Sequence, residues 1–107
     1  METKQTPVVD VAGLAGKLPA VWRTHVLGEV GGARIKVLRM DETPHEGEAH
    51  ERTEALFVLE GRMELTYDGT DVTVRAGEIC VVPAGTYHTV RAGSSGVLVI
   101  IDAIAGA

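Results

Sequence analysis

Short apolar runs separated by glycine-rich turns set the pattern along this chain. In Arg34-Ile35-Lys36-Val37-Leu38-Arg39-Met40 the side chains partly alternate, which places Ile35, Val37 and Arg39 on one strand face and Lys36, Leu38 and Met40 on the other. Ala55-Leu56-Phe57-Val58-Leu59 is apolar on both faces. Such a strand is expected either sandwiched inside the fold or covered by another subunit. Asp68-Gly69 predicts a tight hairpin between Arg62–Tyr67 and Thr70–Arg75, and Gly31-Gly32 predicts another between Val21–Val30 and Ala33–Met40. Glu60-Gly61 and Ala76-Gly77-Glu78 read as turns. Ile79–Val82 is a strand stopped by Pro83, with a bend at Ala84-Gly85. The last strands are Tyr87–Arg91 and Val97–Asp102, separated by Gly93-Ser94-Ser95-Gly96. Asp41–Gly47, acidic and holding Pro44, reads as a loop. Ahead of all this, Asp10 is placed to cap a short helix through about Lys17, with Val11, Leu14 and Leu18 at helical spacing and Pro19 ending it. About seven to nine short strands with frequent turn signals predict an antiparallel sandwich or barrel.

Composition narrows the function classes. The chain has 107 residues, 13 of them Gly, and Val, Ile and Leu outnumber the aromatics, which suits many strands and tight turns. A length of that order predicts one domain with a core of its own. The net charge of -5, with no cluster of Lys or Arg, argues against a nucleic-acid partner and equally against an anionic membrane surface. Cys80 is the single cysteine, so no intrachain disulfide forms. No secretory pattern opens the chain and no run approaches a bilayer span, so the expectation is a soluble cytoplasmic protein.

Candidate chemistry gathers in two stretches. The first is Glu48-Ala49-His50-Glu51-Arg52-Thr53-Glu54, just before the apolar run. In an extended strand Glu48 and His50 share a face, and Glu54 follows after polar residues that read as a bend. The second is Gly77-Glu78-Ile79-Cys80-Val81-Val82-Pro83-Ala84-Gly85-Thr86-Tyr87-His88, which ends in another imidazole. Two imidazoles and one or two carboxylates suit Fe, Mn, Ni, Cu or Zn, and the donor set alone does not choose among them. His25 reads as structural or exposed, His45 as a surface histidine unless its loop swings it inward as a further ligand, and Cys80 as a small buried hydrophobe. Tyr87 is expected to face away from His88. Met40, Met63, Leu56, Val58, Val82 and Ile100 are candidates for the core or for a cavity lining.

The two stretches resemble the paired motifs of the cupin family. His50 stands for the second histidine of the first motif's His-x-His pair, Glu54 for its glutamate and Gly61 for its closing glycine. Gly77, Pro83, Gly85 and His88 fall in register with the second motif. Three positions depart from the pattern: Glu48 replaces the first histidine, Ala92 the terminal asparagine and Glu42 the opening glycine. The resemblance spans residues 48–92 and implies an all-β, double-stranded β-helix or jelly-roll barrel over residues 21–107, with residues 1–20 packed on it. It also implies that His50, Glu54 and His88 are metal ligands. Glu48 would complete the set through oxygen, or stay off the metal as a catalytic general base, or face solvent if the strand begins only at Ala49. Two functions follow as expectations. One is a metal-dependent enzyme acting on a small organic substrate, an oxygenase ahead of an isomerase or lyase. The other is a non-catalytic small-molecule binder with a degraded or absent metal site. Cupins of this size commonly pair, so a homodimer is expected.

Overall fold

A computed structural model describes residues 7–49 and 51–104, and the side chains of residues 45–48 lie outside that description. The described elements are α1 (Val11–Gly16), β1 (His25–Val30), β2 (Ala33–Met40), β3 (His45–Glu48), β4 (Glu54–Tyr67), β5 (Thr70–Arg75), β6 (Ile79–Val82), β7 (His88–Val90) and β8 (Ser95–Ala103). The pairings among these strands are antiparallel. The ladder runs β1-β2-β8-β4-β7-β3, with β5 and β6 attached to β4.

The 14-residue β4 organises this arrangement. Its first half pairs with β6 and β8, and its second half with β5 and β7. One strand therefore belongs to both layers of a double-sheet jelly roll. The turn expected at Glu60-Gly61 is instead an irregularity within β4, where the β8 register shifts between Val58 and Glu60. Past the shift Gly61 lies opposite Gly96, with φ of 77° and 101°. A Cβ on Gly61 would collide with the Ser95 carbonyl oxygen, and one on Gly96 with that of Glu60. The missing side chains let the two backbones touch while the strand changes direction, so the chain bends without leaving the ladder.

Alternation then sorts the side chains. Leu38 and Met40 from β2, Leu56, Val58, Met63 and Leu65 from β4, and Val74, Val82, Leu98 and Ile100 form the core between the layers. Fully buried residues such as Val58, Met63 and Leu65 each contribute about 1.5–3 kcal/mol by leaving water. On the outer face α1 covers Val37 and Val97 through Ala15, with Val11 and Leu14 alongside. The helix starts where Asp10 Oδ1 accepts from the Gly13 amide at 3.1 Å. Position Lys17 follows as its C-cap.

Two further expectations are corrected. Asp41–Gly47 is not loop throughout, because β3 begins at His45 and pairs with β7, with His45 opposite Val90 and Glu48 opposite His88. Nor does the first strand begin at Val21. Trp22 has φ of 61°, a left-handed conformation that interrupts any strand, and its amide donates to the Arg39 carbonyl at 2.8 Å. No described helix is long and apolar enough to cross a membrane.

Gly61→Ala is expected to cost at least about 3 kcal/mol, since left-handed strain and a displaced backbone act together. Gly77→Ala, at φ of 85° with open space around the new Cβ, should cost only about 1–2 kcal/mol. Urea midpoints of the two variants check this, and equal midpoints would remove the close approach as the constraint on β4.

Candidate functional site

Glu54 is the first residue of β4, and His88, the first of β7, pairs with Tyr67 at that strand's other end, so the bend in β4 is what brings the two side chains together. Both side chains are buried, 7% and 4% exposed, and His88 Nε2 lies 3.1 Å from Glu54 Oε1. His88 Nδ1 is 3.3 Å from the Thr86 carbonyl oxygen. A carbonyl oxygen only accepts, so Nδ1 donates its hydrogen there, and Nε2 meets Glu54 through a proton held by either the ring or the carboxyl. That is the orientation a metal-binding imidazole takes, its far N–H tied to a backbone carbonyl.

The pair lines a cavity of about 220 Å³. Leu56, Met63, Leu98 and Ile100 supply its apolar wall, and Trp22, Thr24, Lys36 and Asp102 also reach it. Trp22 Nε1 donates to Asp41 Oδ1 at 2.8 Å, and that bond holds the Asp41 carboxyl below its ordinary pKa. Lys36 Nζ lies 2.7 Å from Asp102 Oδ2. A larger groove of about 440 Å³ between Val8–Val9 and α1 is more open, with Asp10 and Lys17 as its charged lining residues, and brings no set of reactive groups together.

Of the four donors expected from the sequence, Glu54 and His88 meet directly. The side chain of Glu48 and all of His50 lie outside the described residues, and Glu48 is placed only by its backbone register opposite His88. Among the described residues no group of three or more His, Cys, Asp or Glu side chains forms a metal-binding cluster. His25 is exposed at the start of β1, while the side chain of His45 lies outside the description. Tyr87 is exposed beside buried His88. Trp22, Thr24, Lys36 and Asp102 were not singled out from sequence. The signal for the last two was strand alternation: Lys36 shares a face with Leu38 and Met40, and Asp102 with Leu98 and Ile100.

Two antiparallel layers closed around a small cavity, with an imidazole and a carboxylate in its wall, define a small-molecule-sized barrel of the jelly-roll class. The cupin-domain family model matches residues 38–104, and the chain belongs to that family. Solved structures agree on the fold. A cupin-2 domain containing protein from Shewanella frigidimarina superposes with a TM-score of 0.83 at 21% identity, covering 91% of this chain and 95% of that one. Protein NMB1881 from Neisseria meningitidis gives 0.77 at 23% identity, with 90% and 98% covered. TT1209 from Thermus thermophilus gives 0.76 at 18% identity, with 92% and 98% covered. No curated protein matches the chain at a significant level.

Cys80 lies opposite Leu56 on β6, half-buried against the core rather than fully enclosed. Burial raises its pKa, and the charge of Glu54 raises it further. Less thiolate is then present near neutrality. Alkylation by iodoacetamide at about pH 8 should run several-fold slower than for free cysteine and rise steeply at higher pH. A rate equal to that of free cysteine would show that neither the core nor Glu54 holds the thiol up.

Proposed function

We propose that this cupin holds a divalent transition metal through His50, Glu54 and His88 and acts on a small organic molecule in the barrel cavity, as an oxygenase. The observation that carries this reading is the buried His88–Glu54 pair in the cavity wall, with the ring held by the Thr86 carbonyl. Burying a carboxylate against an imidazole gives little stability that an apolar pair of similar size would not give. Their chemistry is the better reason for their presence. Two imidazoles and carboxylate oxygens suit Fe, Mn, Ni, Cu or Zn. When bound, Fe, Mn, Ni or Cu would supply a Lewis-acid and redox centre for substrate oxygens or dioxygen, and Zn a Lewis acid alone.

The chain's own residues do the rest. Thr86 orients the imidazole, and Leu56, Met63, Leu98 and Ile100 supply the apolar part of the cavity wall. Glu48 is the fourth ligand, through oxygen, or the general base that moves a substrate proton. A second reading, a non-catalytic small-molecule binder without metal, is favoured by one contact: His88 and Glu54 already satisfy each other at 3.1 Å.

A homodimer belongs to the same proposal. On the outer face of the β6-β4-β8 ladder, Ile79 and Val81 are each 54% exposed and Ile101 is 38% exposed, in register with Phe57 and Ala55. That apolar stripe lies on sheet α1 leaves uncovered, and a second copy is the occupant proposed for it.

Protein purified without chelator, then offered each candidate metal, should hold about one ion per chain. His50→Ala and His88→Ala should lose it by elemental analysis. Unchanged occupancy in Glu48→Ala would show that Glu48 is not a ligand, and less than about a tenth of an equivalent in the native chain would defeat the metal reading in favour of the binder. Light scattering at micromolar concentration should give the mass of two chains, falling to that of one in Ile79→Lys/Val81→Lys. A monomeric native mass would sink the dimer.

A further inference from the structure

The cavity contains a second polar couple that the family motifs do not include. Lys36 and Asp102 project inward from β2 and β8, in alternation with Leu38 and Met40 on one strand and Leu98 and Ile100 on the other. Asp102 lies directly across from Glu54 on the β4–β8 ladder, which puts the couple in the same chamber as His88.

The couple is incompletely satisfied. Lys36 Nζ donates to Asp102 Oδ2 at 2.7 Å, with the two side chains 17% and 21% exposed. An ammonium has three hydrogens, and among the described residues Asp102 is the acceptor for one of them. The other Asp102 oxygen, Oδ1, is buried and has no hydrogen-bond partner. Arg34, directly opposite Asp102 on β2, donates nothing to it, and its own Nε is also unpartnered. A buried pair kept only for stability would be expected to close all of its bonds, because an unmet buried oxygen is destabilising. Here, among the described residues, two ammonium hydrogens are left over, and one buried carboxylate oxygen stays unmet.

We propose that Lys36 and Asp102 form the recognition couple for a small hydroxylated carboxylic acid, with Lys36 donating to the ligand carboxylate and the cavity-lining Asp102 carboxylate accepting from its hydroxyl. Size agrees with the chemistry: 220 Å³ holds about seven water-sized groups, enough for a short-chain 2-hydroxy acid and little more. Apolar Leu98 and Ile100 border the couple and strengthen its hydrogen bonds by keeping water out. The inference rests on the reading that this cavity receives a small organic molecule, and it does not depend on which metal is held, or on any being held.

Trp22 is the single tryptophan of the chain and lines the cavity, so its fluorescence reports occupancy. Lactate, propionate and lactamide should be titrated against the protein as purified and after loading with Zn(II). Lactate carries both groups, propionate lacks the hydroxyl and lactamide lacks the charge. Lactate should bind at least about tenfold more tightly than either of the others, since charge-assisted bonds are lost in each. Lys36→Met should erase the preference for lactate over lactamide. Because that change strands a buried carboxylate, Lys36→Met/Asp102→Leu is the companion variant. It removes both charges together and should melt no lower than the native chain while losing the preference for lactate. A sharp drop in its melting temperature would make the pair a structural strut and overturn the proposal. Equal binding of the three probes, no binding of lactate, or lactate preference surviving in the double variant would overturn it too. Metal content is measured on the same samples, which separates the two proposals. Lactate preference without metal uptake would sink the metal reading alone, and metal uptake without lactate preference would sink this inference alone.

Discussion

Contact between the backbones of Gly61 and Gly96 is the constraint on which this barrel depends. Any side chain at either position would meet a carbonyl of the other strand. Only with both absent can β4 remain hydrogen-bonded to β8 while it turns from one layer into the other. Sharing that strand between two layers places Leu56 and Val58 in the same core as Met63 and Leu65. It also delivers Glu54, at the strand's first residue, to the cavity where His88 arrives from the opposite layer.

Burial of polar groups follows a different logic in this protein from burial of apolar ones. The apolar core is contiguous and needs no help from charge. Ser94, fully buried, answers the Glu64 amide at 2.9 Å and so closes a backbone bond the β4 ladder leaves open. Glu54, His88, Lys36 and Asp102 are another matter, because they line a space rather than fill one. An empty apolar cavity would stay dry, whereas this lining presents charged and hydrogen-bonding groups to the space it encloses.

Local chemistry was legible wherever neighbouring residues decide the outcome. Asp68-Gly69 predicts a hairpin because its tight turn needs two left-handed residues, and both have positive φ, 46° and 81°. Ile79–Val82 begins and ends as its apolar run suggests, and Tyr87 and His88 face opposite ways as alternation requires. Met40, Met63, Leu56, Val58, Val82 and Ile100 are all core residues. What local reading missed depends on partners far along the chain. Glu60-Gly61 has turn composition but stays in a strand because Gly96 is opposite, and His45–Glu48 is acidic and loop-like until β7 supplies a ladder. For the site, strand spacing alone did not bring Glu54 to His88. The motif resemblance did, and it was silent on Lys36 and Asp102 because those positions belong to neither motif.

One detail of the second motif has a wider consequence. The imidazole of His88 is oriented by the carbonyl of Thr86, and the Thr86 amide in turn donates to the Pro83 carbonyl at 3.1 Å. Every atom in that chain of support is main-chain, so replacing Thr86 with another residue would leave the ring anchored. Drift in the surrounding side chains can therefore retune what the chamber accepts while the nitrogen facing Glu54 keeps its aim, and only a change in the shape of the Pro83–Gly85 bend would release it.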